Sequence, residues 1–454
     1  MSSLVAGWMT GPHWVLIVVG QPRGTVLIRR ASQPHDTPSH RCRLLSAAGL
    51  GLLAACGDTP GPAPLTGSTG MQISQVAREQ PAAGAPTGDV ADGIAAFGHE
   101  LLEQLPPGEN VVVSPASIGT AFAMLRPGAA GTTAAEIDDV LHFPADGLGP
   151  AYNALTRSWQ TGEPTSKSAP ELAVANALWA QEGLPLEGDY LDAVKRDFGA
   201  GVATVDFTQP SAQEQINDWV KEQTRDRIDK LFDDLPPDTK LVLANAVYLK
   251  ATWETEFDPN ETYDADFFVD GDRPVQAATM HTNTAYDFAR GNGWRAVRLP
   301  YAESDMSMWL LLPDAGTEMS PVDLLDPTLL AQAREDATGQ DVQLSLPTWD
   351  FQSDLPLAGT LQDMGMRQAF TGAADFSALS STALFVSDVV HRADITVDEE
   401  GTEAAAVTGI AMAEVAAPAL TGVEMTVDRP FAFAIVDDTT GAPLFEGVVH
   451  DPTA

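Results

Sequence analysis

"DEEGTEAAAVTG", residues 398–409, follows the strand-like run "ALFVSDVVHRADITV" at 383–397, and its conformation decides how the C-terminal part of the chain is built. Alanine and glutamate are good helix formers and Thr402 suits a helix cap, so local propensity favours a helix. Against that, Val407, Thr408 and Gly409 interrupt the run. No large apolar side chain recurs at helical spacing until Ile410 and Met412, so such a helix has no face to bury.

The chain has 454 residues with 44% hydrophobic content, enough for one very large core or two to three average ones. Asp and Glu number 63 against 25 Lys and Arg, a formal net charge of -38. Such a surface repels phosphate backbones, which argues against nucleic acid as a partner; as a solvating coat the acidity says little else about function.

The only cysteines, Cys42 and Cys56, precede the expected folded region, so no disulfide framework is predicted. Residues 41–56, "RCRLLSAAGLGLLAAC", pass from two arginines through an apolar stretch too short to span a bilayer. The ending resembles a bacterial lipobox. It implies a signal peptide over 41–55, cleavage before Cys56, and a lipid anchor on that thiol. Residues 1–40 fit no part of this signal, although "HWVLIVV" is apolar; they read as an uncertain extension, consistent with a start site placed too early. Residues 56–89 are rich in Pro, Gly, Thr and Ala and read as a flexible tether, holding the domain roughly 30 Å from a membrane.

From residue 90 to 454 no linker or repeat divides the sequence, so a single large domain is expected. "VADGIAAFGHELLEQL" (90–105) repeats Ile94, Phe97, Leu101, Leu102 and Leu105 at helical spacing. "SAQEQINDWVKEQTRDRIDKLF" reads as a second amphipathic helix. "SAPELAVANALWA", "TKLVLANAVYLKATWE", "DMSMWLLLP" and "QDVQLSLPTWDF" are strand candidates, interspersed with helices without βαβ regularity. Tests for chemistry come back empty. The sequence has no G-x-S-x-G or S-x-x-K set, no cysteine in the domain, no metal-ligand spacing and no phosphate-cradling glycine loop.

Four segments in order resemble the serpin family, from about residue 92 to the end. "NVVVSPASIGTAFAMLRPGAAGTT" (110–133) carries Asn110, Ser114, Pro115, Ser117, Ala123 and Gly128; "INDWVKEQTRDRI" carries Asn217, Trp219 and Thr224. "LANAVYLKATWETEF" (243–257) carries Asn245, Tyr248, Lys250, Trp253 and Phe257, and "VDRPFAFAIVDDTTGAPLFEGVV" (427–449) carries Pro430, Phe431, Leu444, Phe445 and Gly447. The resemblance implies an α+β serpin fold with three β-sheets, about eight or nine helices and an exposed reactive loop near the C-terminus. It also implies a protease inhibitor rather than an enzyme, with no cofactor and no metal, acting as a monomer outside the cytoplasm.

Under that resemblance Glu399, Glu400, Gly401, Thr402, Glu403, Ala404, Ala405, Ala406, Val407 and Thr408 are the hinge of a loop that inserts as a strand once cleaved. Residue chemistry agrees. In an extended chain Thr402, Ala404, Ala406, Thr408, Ile410 and Met412 share one face and none is charged, while Glu403 falls on the other. Family spacing puts the scissile bond at Val415–Ala416, with Met412 or Ala413 as the alternative because the loop looks long. Small aliphatic residues there suit a serine protease of elastase, subtilisin or chymotrypsin type, or a cysteine protease. Ser114, Ser117, Asn245 and His391 match the family's shutter beneath the opening sheet, and Trp253 the breach where insertion starts. Thr348 stands where many serpins carry a basic residue facing the position of Glu399. The competing reading is a non-inhibitory serpin-fold binding protein at the cell envelope.

Overall fold

Ser114 and Pro115 show how the sequence sets local structure. Ser114 is extended and its side chain accepts the Ser117 N–H, while Pro115 takes the first helical turn, where no N–H is needed. The helix they start, Pro115–Leu125, is buried on every side, so it is a core helix rather than an amphipathic one. The computed structural model describes residues 13–20, 76–160, 166, 168–223, 235–269, 274–402 and 422–454.

In chain order the first elements are β1 (His13–Gly20), α1 (Thr87–Glu103), β2 (Val111–Val113), α2 (Pro115–Leu125), α3 (Gly131–Val140) and α4 (Leu148–Ser158). Then come β3 (Glu171–Gln181), α5 (Gly188–Phe198), β4 (Gly201–Val205), α6 (Pro210–Gln223) and β5 (Thr239–Thr252). The middle of the chain supplies β6 (Tyr263–Phe268), β7 (Pro274–Gly291), β8 (Trp294–Pro300), β9 (Met306–Pro313), α7 (Pro327–Asp336), β10 (Thr338–Pro347), β11 (Trp349–Pro356) and α8 (Leu357–Met364). The C-terminal part adds β12 (Phe385–Val397), β13 (Gly401–Thr402), β14 (Val423–Thr426), β15 (Phe431–Asp437) and β16 (Pro443–Val449).

The main sheet runs β11, β12, a shared middle lane, β5, β3 and β4. Two short strands lie in that lane. β13 sits at its head, antiparallel to both β12 and β5, and β1 lies below it with the same two neighbours and the same polarity. The remaining strands form one continuous ladder through β7, whose earlier part pairs with β6 and β10 and whose last residues pair with β8. Divided at β7, this gives the expected three sheets, with eight α-helices among the described residues.

β15 and β16 are buried along their whole length, and α2 packs between β16 and β5, so the core lies between the main sheet and the β9–β15–β16 layer. α6 covers the opposite face of the main sheet. Its Ile216 and Trp219 pack on Trp179, Val242 and Ala244, and Trp219 meets Trp179 edge-on at 6.4 Å. The helix expected over 90–105 is α1, which buries Val90, Ile94, Phe97, Leu101 and Leu102 as one stripe. The boundary expected at residue 90 falls inside α1, and the chain just before it is tied down too: Glu79 N–H donates to the Arg196 carbonyl at 3.0 Å and Arg78 to Thr156 Oγ1 at 2.6 Å. The single strand expected over "QDVQLSLPTWDF" is two. It divides after Thr348, whose N–H still donates to the Ala278 carbonyl of β7, the partner of β10, whereas from Trp349 onward the chain pairs with β12, so β10 and β11 serve different sheets.

Candidate functional site: the head of the main-sheet lane

The helix favoured by propensity for "DEEGTEAAAVTG" does not form where the chain is described. Asp398 Oδ1 accepts the N–H groups of Glu400 (2.9 Å) and Gly401 (3.2 Å), and its own N–H donates to the Gly401 carbonyl at 3.1 Å. That closed Asx turn reverses the chain out of β12. Gly401 and Thr402 then lie extended, opposite Thr252 and Ala251 of β5, with Thr402 also opposite Val397 of β12. Burial of a backbone already hydrogen-bonded on both sides outweighs a small difference in helix propensity.

Gly401 is required by contact. A Cβ there would overlap the Ala251 carbonyl oxygen, so only glycine lets the chain pass this close to β5. Thr402, 4% exposed, points inward, and its hydroxyl bonds the Tyr301 hydroxyl at 2.6 Å. The Tyr301 ring stacks on Trp253 at 4.7 Å and 10°. Trp253 is itself fixed at three points: its indole N–H donates to the Asp398 carbonyl at 3.0 Å, its backbone N–H to the Glu400 carbonyl at 2.9 Å, and its backbone bridges Tyr301. Phe257 N–H binds the Glu399 carbonyl at 2.9 Å. The turn and Trp253 are therefore one hydrogen-bonded unit.

Burial pushes the Asp398 carboxyl up to about 6, against the two backbone N–H groups that pull it down; Glu399 and Glu400 add to the rise. Burial also raises the Tyr301 hydroxyl, keeping it protonated as a hydrogen-bonding group. Glu399 makes no ion pair among the described residues, in keeping with threonine at 348.

Beneath the lane, the Ser114 N–H donates to His391 Nε2 at 3.0 Å and Ser114 Oγ donates to the Leu444 carbonyl at 2.7 Å. Ser114, Ser117 and His391 are all fully buried, so three of the four expected shutter residues meet at one point joining α2, β12 and β16. The backbone of Asn245 faces Asn176 of β3 from within β5; its side chain lies outside the described residues, as do Glu403–Thr408, Val415, Ala416 and Cys56. Sequence reasoning missed Asp398 and Tyr301. The D-x-x-G spacing of an Asx turn was a usable signal for the first; the second carries none, because its partners lie far away in sequence.

Fold and site define an α+β protein whose central sheet holds two short strands, β13 and β1, between β12 and β5. A family model described as Serpin (serine protease inhibitor) matches residues 92–452. Iripin-3 of Ixodes ricinus is 36% identical over 78% of this chain and 92% of its own length, and Serpin A3-6 of Bos taurus 34% over 79% and 87%. An uncharacterized serpin-like protein of Methanosarcina acetivorans is 33% identical over 80% and 88%. Among solved structures, the native state of the thermophilic serpin tengpin superposes with a TM-score of 0.73 at 25% identity, covering 84% of this chain and all of that one. Thyroxine-binding globulin in complex with thyroxine gives 0.70 at 28% identity, over 80% of this chain and 99% of its own. The chain belongs to the serpin family.

Proposed function

We propose that this protein is a single-use inhibitor of serine, or cysteine, endopeptidases with small apolar preference, and that the residues after Thr402 are its bait. The protease nucleophile attacks the Val415 carbonyl, the Val415–Ala416 peptide bond breaks, and the Ala416 amine leaves with a proton while Val415 remains esterified to the enzyme. The freed loop then enters the lane as a strand and carries the protease with it. Deacylation stalls because the protease's oxyanion hole and triad lose their geometry.

One observation supports this above the rest: Gly401 and Thr402 are already paired between β12 and β5. Extending their register sets Ala404 opposite Leu249, Ile410 opposite Leu243 and Met412 opposite Leu241, residues of the main core, while Glu403 falls opposite half-buried Lys250. Each backbone hydrogen bond gained adds about 0.5 to 1.5 kcal/mol net.

Incubation of the mature chain, from Cys56 onward, with an elastase-type protease is expected to yield an SDS-resistant adduct, and Thr402→Arg, which puts a charge on the buried face, a cleaved loop without adduct. Clean cleavage of that unsubstituted mature chain with no adduct and no rise in melting temperature would discard the inhibitory reading in favour of a binding protein. The same reading places the protein outside the cytoplasm, held by lipid on Cys56. Metabolic labelling with a fatty acid is expected to be lost in Cys56→Ala, and labelling that persists sinks the anchor.

A further inference from the structure

The lane below Thr402 is filled by a strand from the other end of the chain. A loop continuing the register of Gly401 and Thr402 would set Ala406 against Val247, Thr408 against Asn245 and His391, and Ile410 against Leu243 and Val389. β1 has those partners. His13 pairs with Val247, Val15 with Asn245 and His391, and Ile17 with Leu243 and Val389. Direction matches as well, since β1 is antiparallel to both neighbours, as β13 is. His13, Val15 and Ile17 thus hold the register positions of Ala406, Thr408 and Ile410. Two strands cannot share one set of rungs, so β1 and the loop exclude each other.

We propose that β1 is an intramolecular plug: in the full-length chain it closes the main sheet and bars the reactive loop, and its withdrawal arms the protein. This rests on the loop using the lane, as proposed above. The plug is the better strand by composition. "HWVLIVVG" is dense in β-branched and aromatic residues, whereas residues 404–413, "AAAVTGIAMA", are half alanine with a glycine in the middle. A loop of that composition does not evict β1 unaided. Tyr248, Leu249 and Lys250 of β5 lie between the two segments and pair with neither, so β13 can hold the head of the lane while β1 holds the rest. Any cut of the chain between Gly20 and Val76 detaches β1, and the signal-type cleavage expected before Cys56 is such a cut. Processing would then release residues 1–55 and convert a closed precursor into the form with an open lane.

The test uses the full chain and its Ile17→Pro variant. Proline removes an N–H that a strand flanked on both sides needs, while leaving the rest of the molecule untouched. Three readouts decide: amide exchange across 239–247 and 385–392, binding of a labelled peptide with the sequence of residues 402–413, and the rate of SDS-stable adduct formation with an elastase-type protease. The expected result is loss of protection on those amides in Ile17→Pro, peptide binding at least tenfold tighter, and an adduct formed at least tenfold faster. Equal protection in the two proteins overturns the plug, because β1 is then not in the lane. Equal peptide binding overturns it too, because the lane is then not gated. Should neither protein form an adduct while protection and peptide binding change as expected, the plug stands and the inhibitory reading is what falls.

Discussion

Glu446 sits in the middle of β16, fully buried, with neither carboxylate oxygen hydrogen-bonded among the described residues. Gly98 of α1 lies so close that a Cβ there would overlap Glu446 Oε2. Desolvation raises this carboxyl well above its ordinary value, so it is held neutral in the folded state. In the unfolded chain it ionises near its ordinary value of 4.5. Folding therefore binds a proton once pH exceeds that value, and the stability tied to this group is whole below about 4.5 and falls as pH rises toward the folded value. Replacing Glu446 with methionine removes an unsatisfied buried polar group, worth about 1 to 3 kcal/mol. Denaturant unfolding at pH 7 should show Glu446→Met more stable by that order, with a smaller gain at pH 4. A loss at pH 7 would mean that the carboxylate has a partner which the burial geometry hides.

At the scale of elements, what was legible depended on how far away the deciding partner lay. α1 is readable because its apolar stripe is a property of the segment, and the start of α2 because Ser114 and Pro115 are local signals. The division between β10 and β11 is less so, since it is set by partners far away in sequence, β7 up to Thr348 and β12 from Trp349 onward. Gly401 and Thr402 read as helix because propensity counts neighbours in sequence, whereas their conformation is set by β12 and β5 on either side. β1 is the extreme case. "HWVLIVV" announces a strand-forming segment, yet nothing in it names β5 and β12 as partners, and by composition alone it was an unplaced extension. The meeting of Ser114, Ser117 and His391 was signalled only by resemblance: they are ordinary residues until the fold brings them to one buried point.

For the whole molecule the dominant long-range force is its own charge. Even if every one of the 25 Lys and Arg paired with an acid, 63 − 25 leaves 38 carboxylates uncompensated. The described pairs are modest: Arg298 bridges Asp438 at 2.7 Å and Asp287 at 3.3 Å, and Arg392 meets Asp354 at 2.8 Å, all partly exposed. Two unit charges 10 Å apart in water repel by about 0.4 kcal/mol. At 0.01 M salt the screening length is about 30 Å and each carboxylate feels many others; at 0.15 M it is about 8 Å and it feels few. Compaction brings these charges together, so salt relieves the folded state more than the unfolded one. The melting temperature should accordingly rise between 10 mM and 150 mM sodium chloride, each 1 kcal/mol gained raising it by about 1 °C in a chain of this size. A melting temperature that falls over that range would show that the arginine bridges outweigh the excess carboxylates, which their number and exposure argue against.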